Sequence, residues 1–338
     1  MFVRLLVCAS LFVIASAVNS IRSGCYWGGE PGYWLRHEWG QLAGQGALPL
    51  SDPADGLPFG SAWKPISDKC QTRNLFEKYM TRKRERTRTI VFIGESLDMQ
   101  LLGFTCQYYD MQFGTTSKQF HNSFKAINYC TLPSGLTLLH IMLLRTSHEE
   151  DKEVVQAVNH FFGGNDEYSM KDETNDALRA QRKSDVEYIT DMTRRPDIIV
   201  IASTSFPLQK RFSSFQYSNT FHLEENFILE YEDLMRDIVQ AARSTFMGAR
   251  VMIRTSPEAQ THCEHGHGFG NTKSWVHRSY VAQLNAAARH IADDESIDLI
   301  DLEAMGMSFT PHQLTHDGVH PKSFFAFEYL NILLNFNN

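Results

Sequence analysis

The stretch Ile90-Val91-Phe92-Ile93-Gly94-Glu95-Ser96-Leu97 decides the fold. Its apolar run is too short for a helix of its own and is rich in β-branched residues, so it reads as a strand. The run does not alternate with polar residues, which means both faces of that strand are covered. Gly94 permits a tight turn, and Ser96 stands where a helical pattern begins, near Leu97–Tyr109. Strand, glycine, serine and helix in that order place a hydroxyl at the carboxyl edge of a sheet.

The same alternation continues outward from this stretch. After Ile90–Gly94, further strands are expected at Leu136–Leu143, Asp197–Ala202, Ala249–Arg254 and Ile297–Asp301. Helical patterns fall at Asp176–Met192, Glu224–Ser244, Ser274–Asp293 and Ser323–Asn335. Continuous apolar strands separated by helices predict a doubly wound α/β/α sandwich with a mostly parallel sheet and its site at the strands' carboxyl ends. Residues 148–175 are polar and irregular and read as an insertion over that end.

Composition bounds the function classes. The 338 residues carry 32 basic and 39 acidic side chains, a formal charge of 32 − 39 = −7, with 43% hydrophobic and 21% charged residues. That much apolar side chain excludes disorder as the main state, and no fixed-period repeat is present. The acidic balance argues against nucleic acid as a partner.

The N-terminus assigns a compartment. Arg4 precedes an apolar stretch, Leu5 to Val18, that contains Ala15-Ser16-Ala17, the pattern of a cleaved signal peptide at residues 1–17. As a helix, its roughly 14 residues span about 21 Å, short of the ~30 Å hydrocarbon core. The expected location is therefore secreted or in the lumen of the secretory pathway, the Golgi included. A membrane enters only if this segment is an uncleaved anchor.

Residues 18–88 form a Cys/Trp-rich appendage and basic linker. They hold Trp27, Trp34, Trp39 and Trp63, four of the 5 tryptophans, and end in the run Arg82-Lys83-Arg84-Glu85-Arg86-Thr87-Arg88. With little helical or strand periodicity, this segment is expected to pack on the main domain, residues 89–338, through its aromatics. Cleavage removes Cys8 and leaves Cys25, Cys70, Cys106, Cys130 and Cys263, an odd set in an oxidising lumen. Cys25–Cys70 and Cys106–Cys130 are the expected pairs, with connectivity left open. No N-x-S/T sequon occurs, so N-glycans are not expected.

A second motif, His316-Asp317-Gly318-Val319-His320-Pro321, lies just before the final helix. Asp and His three apart can turn so that the carboxylate meets one imidazole nitrogen and the other faces outward as a base. Taken alone, Ser96 reads first as an N-cap, and Asp317 and His320 as a helix-capping loop. Together they fit a serine-hydrolase order: nucleophile early, orienting acid and base late.

These blocks resemble the first and last motifs of SGNH (GDSL-like) acyl esterases and transferases. The surroundings look like the PC-esterase group, which includes trichome-birefringence-like, neurexophilin-and-PC-esterase and sialate O-acetyltransferase proteins. The likeness is carried by Cys25 with Gly32-Tyr33-Trp34, Trp63-Lys64-Pro65 with Cys70, Arg254-Thr255-Ser256-Pro257 with His262, Leu299-Ile300-Asp301-Leu302-Glu303, and Leu330-Asn331-Ile332-Leu333-Leu334-Asn335. It implies Ser96 as nucleophile, His320 as base and Asp317 as its orienting partner. It further implies movement of an acyl group, usually acetyl, on or off carbohydrate hydroxyls through an acyl-serine, with no cofactor. The partners would be a carbohydrate acceptor or acylated glycan and a small acyl donor of unknown identity.

The chain departs from the group's pattern in three places. Glu95 stands where the pattern has Asp, and Met99 where some plant-type members have Arg. After the third strand come Ala202-Ser203-Thr204-Ser205, where an oxyanion-hole Asn is usual. Oxyanion donors are expected from Gly94, Ser96 and Leu97, with Asn165 of Gly163-Gly164-Asn165-Asp166 as a substitute. His262-Cys263-Glu264-His265-Gly266-His267 matches no standard zinc spacing, so no metal is expected, and His262, His265 and His267 are read as lining the acceptor site. The alternative to an enzyme is a non-catalytic protein of the same fold that binds glycans or proteins.

Overall fold

The computed structural model describes residues 32–36, 61–65, 88–108, 114–120, 123–142, 196–202, 204, 208, 222–257, 278–307, 314–315 and 319–336. Of the expected elements, the helix at 176–192 and the insertion at 148–175 lie outside these residues. So do the signal peptide and most of the segment 18–88.

The predicted strand is β3 (Arg88–Gly94), and it lies inside a seven-stranded sheet. On one side it pairs in parallel with β6 (Leu136–Met142), with Phe92 opposite His140 and Gly94 opposite Met142. On the other it pairs in parallel with β7 (Ile198–Ile201), which is followed outward by β8 (Arg250–Arg254) and β9 (Asp298–Ile300), also parallel. Taken in chain order these five strands run second, first, third, fourth, fifth. In such a doubly wound sheet the order reverses between the first and third strands, here β3 and β7, and sites in folds of this kind lie at the carboxyl ends of those strands.

The apolar strands feed two cores because successive side chains alternate between faces. Val91, Ile93, Ile199, Ile201, Val251 and Ile253 face α2 (Glu225–Thr245) and α3 (Arg278–Asp294). Ile90, Phe92, Leu138, Val200 and Met252 face α1 (Ser96–Tyr108) and α5 (Ser323–Asn335), with the short α4 (Leu302–Gly306) alongside. This is the α/β/α layering that the unbroken apolar strands predict, and the observed strand ends fall within two residues of expectation.

Two features differ from expectation. The crossover from β3 to β6 contains α1 and then an antiparallel pair, β4 (Gly114–Phe120) and β5 (Ser123–Thr131), which extends the sheet beyond β6. β4 reads Gly-Thr-Thr-Ser-Lys-Gln-Phe, and an edge strand of this kind need not carry the apolar run used to find the others. β5 returns to β6 through a turn at Leu132–Gly135, where Gly135 takes a φ of 84°. The second is in the appendage, where β1 (Gly32–Arg36) and β2 (Ser61–Pro65) pair antiparallel with Trp34 opposite Trp63, although the sequence shows little strand periodicity there.

Cys106 and Cys130 form a disulfide that joins α1 to β5, as one of the two expected pairs. Cys25, Cys70 and Cys263 lie outside the described residues.

Candidate active site

The turn between β3 and α1 begins with a problem of space. Asp98 folds back over Gly94, and a Cβ placed on Gly94 would lie 2.1 Å from Asp98 Oδ2. Gly94 has no positive φ, so the glycine serves close approach and not an unusual backbone angle. Glu95 is the N-cap of α1, its carbonyl accepting from Asp98 N at 3.1 Å and Met99 N at 3.2 Å. Asp98, three residues on, accepts from Glu95 N at 3.3 Å, the return half of a capping box. The Glu95 carboxylate is diverted: it leaves the helix and accepts from the Thr204 amide just beyond β7. Two acidic residues thus tie the β3–α1 turn both to its own helix and to the chain just beyond β7.

Asp98 is held from below by Arg254, at the end of β8. Nε donates to Oδ1 at 2.8 Å and Nη2 to Oδ2 at 2.5 Å, with both side chains out of water. Tyr329 on α5 adds a third donor at 3.4 Å. Burial opposes the Arg254 charge, but the Asp98 carboxylate outweighs it, and the guanidinium pKa lies above its ordinary value. Burial first, then the Asp98 charge, likewise raises the Tyr329 phenol, and burial with Glu95 raises Tyr231 on α2. Beyond Arg254, Asn285 on α3 clamps the chain at Ser256, donating to its carbonyl at 2.9 Å and accepting from its amide at 2.8 Å.

His320 arrives from the other end of the chain. A bridge between Thr315 and Pro321, with Lys322 N donating to Leu314 O at 2.9 Å, closes the loop ahead of α5. That closure brings His320 Nε2 to 2.7 Å from Ser96 Oγ, across 224 positions of sequence. Both residues are half-buried, at the carboxyl end of β3 beside the strand-order reversal. For the Ser96 hydroxyl to donate, Nε2 must be the bare nitrogen, which puts the ring proton on Nδ1.

Of the residues expected at the site, the structure brings Ser96 and His320 together. Gly94 ends β3, and Ser96 and Leu97 open α1, where the first amides of a helix have no intrahelical acceptor. Asp317, Asn165, His262, His265 and His267 lie outside the described residues. Two participants are not picked out as such from the sequence: Asp98 and Arg254. The signals are present, in Asp98 three residues after an N-cap and in Arg254 as a lone charged residue ending an apolar strand.

No family model matches the chain, and no curated protein does. Among solved structures it is similar to a lipase/acylhydrolase from Enterococcus faecalis at 12% identity and a TM-score of 0.37, over 74% of this chain and 95% of that one. It is similar to an acetyl xylan esterase, AlAXEase, at 13% identity and a TM-score of 0.37, over 72% of this chain and 96% of that one. A catalytic variant of an acetylxylan esterase from Geobacillus stearothermophilus is similar at 12% identity and a TM-score of 0.36, over 75% and 94%.

Proposed function

We propose that this chain is a serine-dependent carbohydrate esterase or O-acyltransferase, working through an acyl-serine on Ser96. The observation that carries the reading is the 2.7 Å contact between Ser96 Oγ and His320 Nε2 at the carboxyl end of β3. A serine hydroxyl is a weak nucleophile until a base within hydrogen-bond reach takes its proton. As Oγ attacks an ester carbonyl, His320 accepts that proton and then delivers it to the departing alcohol. The oxyanion that forms meets the amides of Ser96 and Leu97 at the positive end of α1. Water or a sugar hydroxyl then attacks the acyl-serine, His320 takes the proton of that second nucleophile, and Ser96 is regenerated.

Asp317 is assigned to hold the Nδ1 proton of His320, as the sequence order implies. The carbohydrate substrate and the acetyl group rest on the resemblance to the PC-esterase group. Residence in the secretory pathway rests on the N-terminal apolar segment, and the Cys106–Cys130 disulfide supports an oxidising compartment.

The test is covalent. A fluorophosphonate probe loses fluoride when an activated serine attacks its phosphorus, and peptide mass spectrometry locates the adduct. Labelling of Ser96 that Ser96→Ala, His320→Ala and heat inactivation each abolish is the expected result. A folded protein that takes no probe overturns the enzyme and leaves a glycan- or protein-binding member of the fold. An acyl-donor screen with water or sugar as acceptor then separates hydrolysis from transfer.

A further inference from the structure

His140 interrupts the apolar strand β6 and is completely buried. Burying an imidazole costs free energy unless its nitrogens find partners, so a histidine at such a position needs a reason. Its backbone register places it opposite Phe92 on β3 and opposite Asn128 on β5. Asn128 Nδ2 lies 3.1 Å from His140 Nδ1, and an amide N–H there makes Nδ1 the acceptor. The ring proton is then on Nε2, and Nε2 has no hydrogen-bond partner among the described residues.

Opposite Phe92, His140 lies on the face of the sheet that α1 covers, two register positions before Gly94, where β3 turns into α1. The backbone at Gly94 and Glu95 acts on the ring in the sense that favours an imidazolium, which carbonyl oxygens do and amide hydrogens do not. Asp98 acts in the same sense from α1, and Arg254 in the opposite one from β8. Burial outweighs all of these, and the ring is neutral, with its pKa pushed down to about 4. A buried donor held away from a full hydrogen bond still attracts the carbonyls before it, and those carbonyls belong to the residues immediately before Ser96.

We propose that His140 is a positioning residue for the nucleophile, its Nε2–H steadying the Gly94–Glu95 turn from beneath while Asn128 fixes the ring's tautomer. This rests on the reading of Ser96 as a nucleophile. His140 touches no reacting atom; it acts through the turn. The side chain is therefore replaceable by any group that puts an N–H donor at the same height above β6.

Two isosteres separate that role from plain packing. Glutamine places its amide nitrogen close to where Nε2 lies, and asparagine reaches only as far as Nδ1. In His140→Asn the rate of Ser96 labelling by the fluorophosphonate is expected to fall at least tenfold, and His140→Gln is expected to recover most of it. Hydrogen exchange of the Glu95–Leu97 amides is expected to quicken in His140→Asn and to remain slower in His140→Gln. If the two variants label and exchange alike, whether both resemble wild type or both are equally impaired, the proposal is overturned. If wild type itself takes no probe, the esterase reading fails, and the exchange comparison alone decides His140. Should neither variant fold, Asn128→Ala leaves the ring in place and frees its tautomer. A severalfold slower labelling rate, or quicker exchange, is then expected, and no change in either overturns the proposal.

Discussion

Arg254 reaches Asp98 from two strands away, across the intervening β7, and grips the third residue of α1 with two nitrogens, at 2.8 and 2.5 Å. Neither charge sees water. A buried pair of this kind adds little net stability, yet losing one partner strands the other at a cost of about 3–5 kcal/mol. Asp98→Asn and Arg254→Met are each expected to lower the urea midpoint by that order with an unchanged slope. The double variant is expected to recover part of the loss. Purely additive losses in the cycle would mean that the two residues do not act as a pair.

Gly94→Ala tests the same turn by crowding. Its new Cβ would press on Asp98 Oδ2, and Arg254 prevents that carboxylate from swinging aside. Overpacking a rigid site costs about 1–3 kcal/mol, and here it also displaces Ser96 from His320. A loss of stability and a slower labelling rate are expected together. Adding Asp98→Ala to Gly94→Ala should cost less than the two single changes summed, by about 1 kcal/mol or more. Full additivity, or a Gly94→Ala protein that labels at the wild-type rate, would contradict the crowding argument.

How far this site was legible follows from which physical rule each residue obeys. Ser96 and His320 were readable because strand–Gly–x–Ser and Asp–x–x–His each prescribe a local geometry, and the parallel sheet then supplies the meeting point. The five parallel strands were readable because burial on both faces leaves continuous apolar runs. β4 escaped because an edge strand need not show one. Arg254 and Asp98 escaped for a different reason: 156 positions separate them, and only the strand order puts β8 beneath α1. Glu95 is legible as a departure from the family pattern, but its partner, the Thr204 amide, follows from the pairing of β3 with β7.

The disulfide fastens α1 to the antiparallel extension of the sheet. It spans a sequence separation of 24, for which loop-closure entropy alone gives about 3 kcal/mol. Cys106→Ala with Cys130→Ala is expected to lower stability by that order. Cys106 and Cys130 are 1% and 0% exposed, so a reductant reaches them only when the chain opens. The rate of reduction is therefore expected to follow the unfolding rate as urea is raised. Rapid reduction of the folded protein would show that this part of the chain opens locally.

His140 gives stability a slope in the acidic range. Its folded pKa of about 4 lies below the ordinary 6.5, because burial disfavours the charged ring. Between those values the unfolded chain binds a proton that the folded chain refuses, so stability falls as the pH falls. At about 1.4 kcal/mol per pKa unit the whole window is worth roughly 3 kcal/mol, of which about 2 has gone by pH 4.5. His290 works in the other sense: Glu232, by hydrogen bond and charge, and Asp294 raise its pKa, so its small surface contribution is present at low pH and lost as pH rises through its folded pKa. Urea midpoints of wild type and His140→Gln, measured from pH 7 to pH 4.5, isolate the buried ring. The wild-type curve is expected to drop by about 2 kcal/mol more than the variant's, and parallel curves would mean that His140 takes up its proton in place.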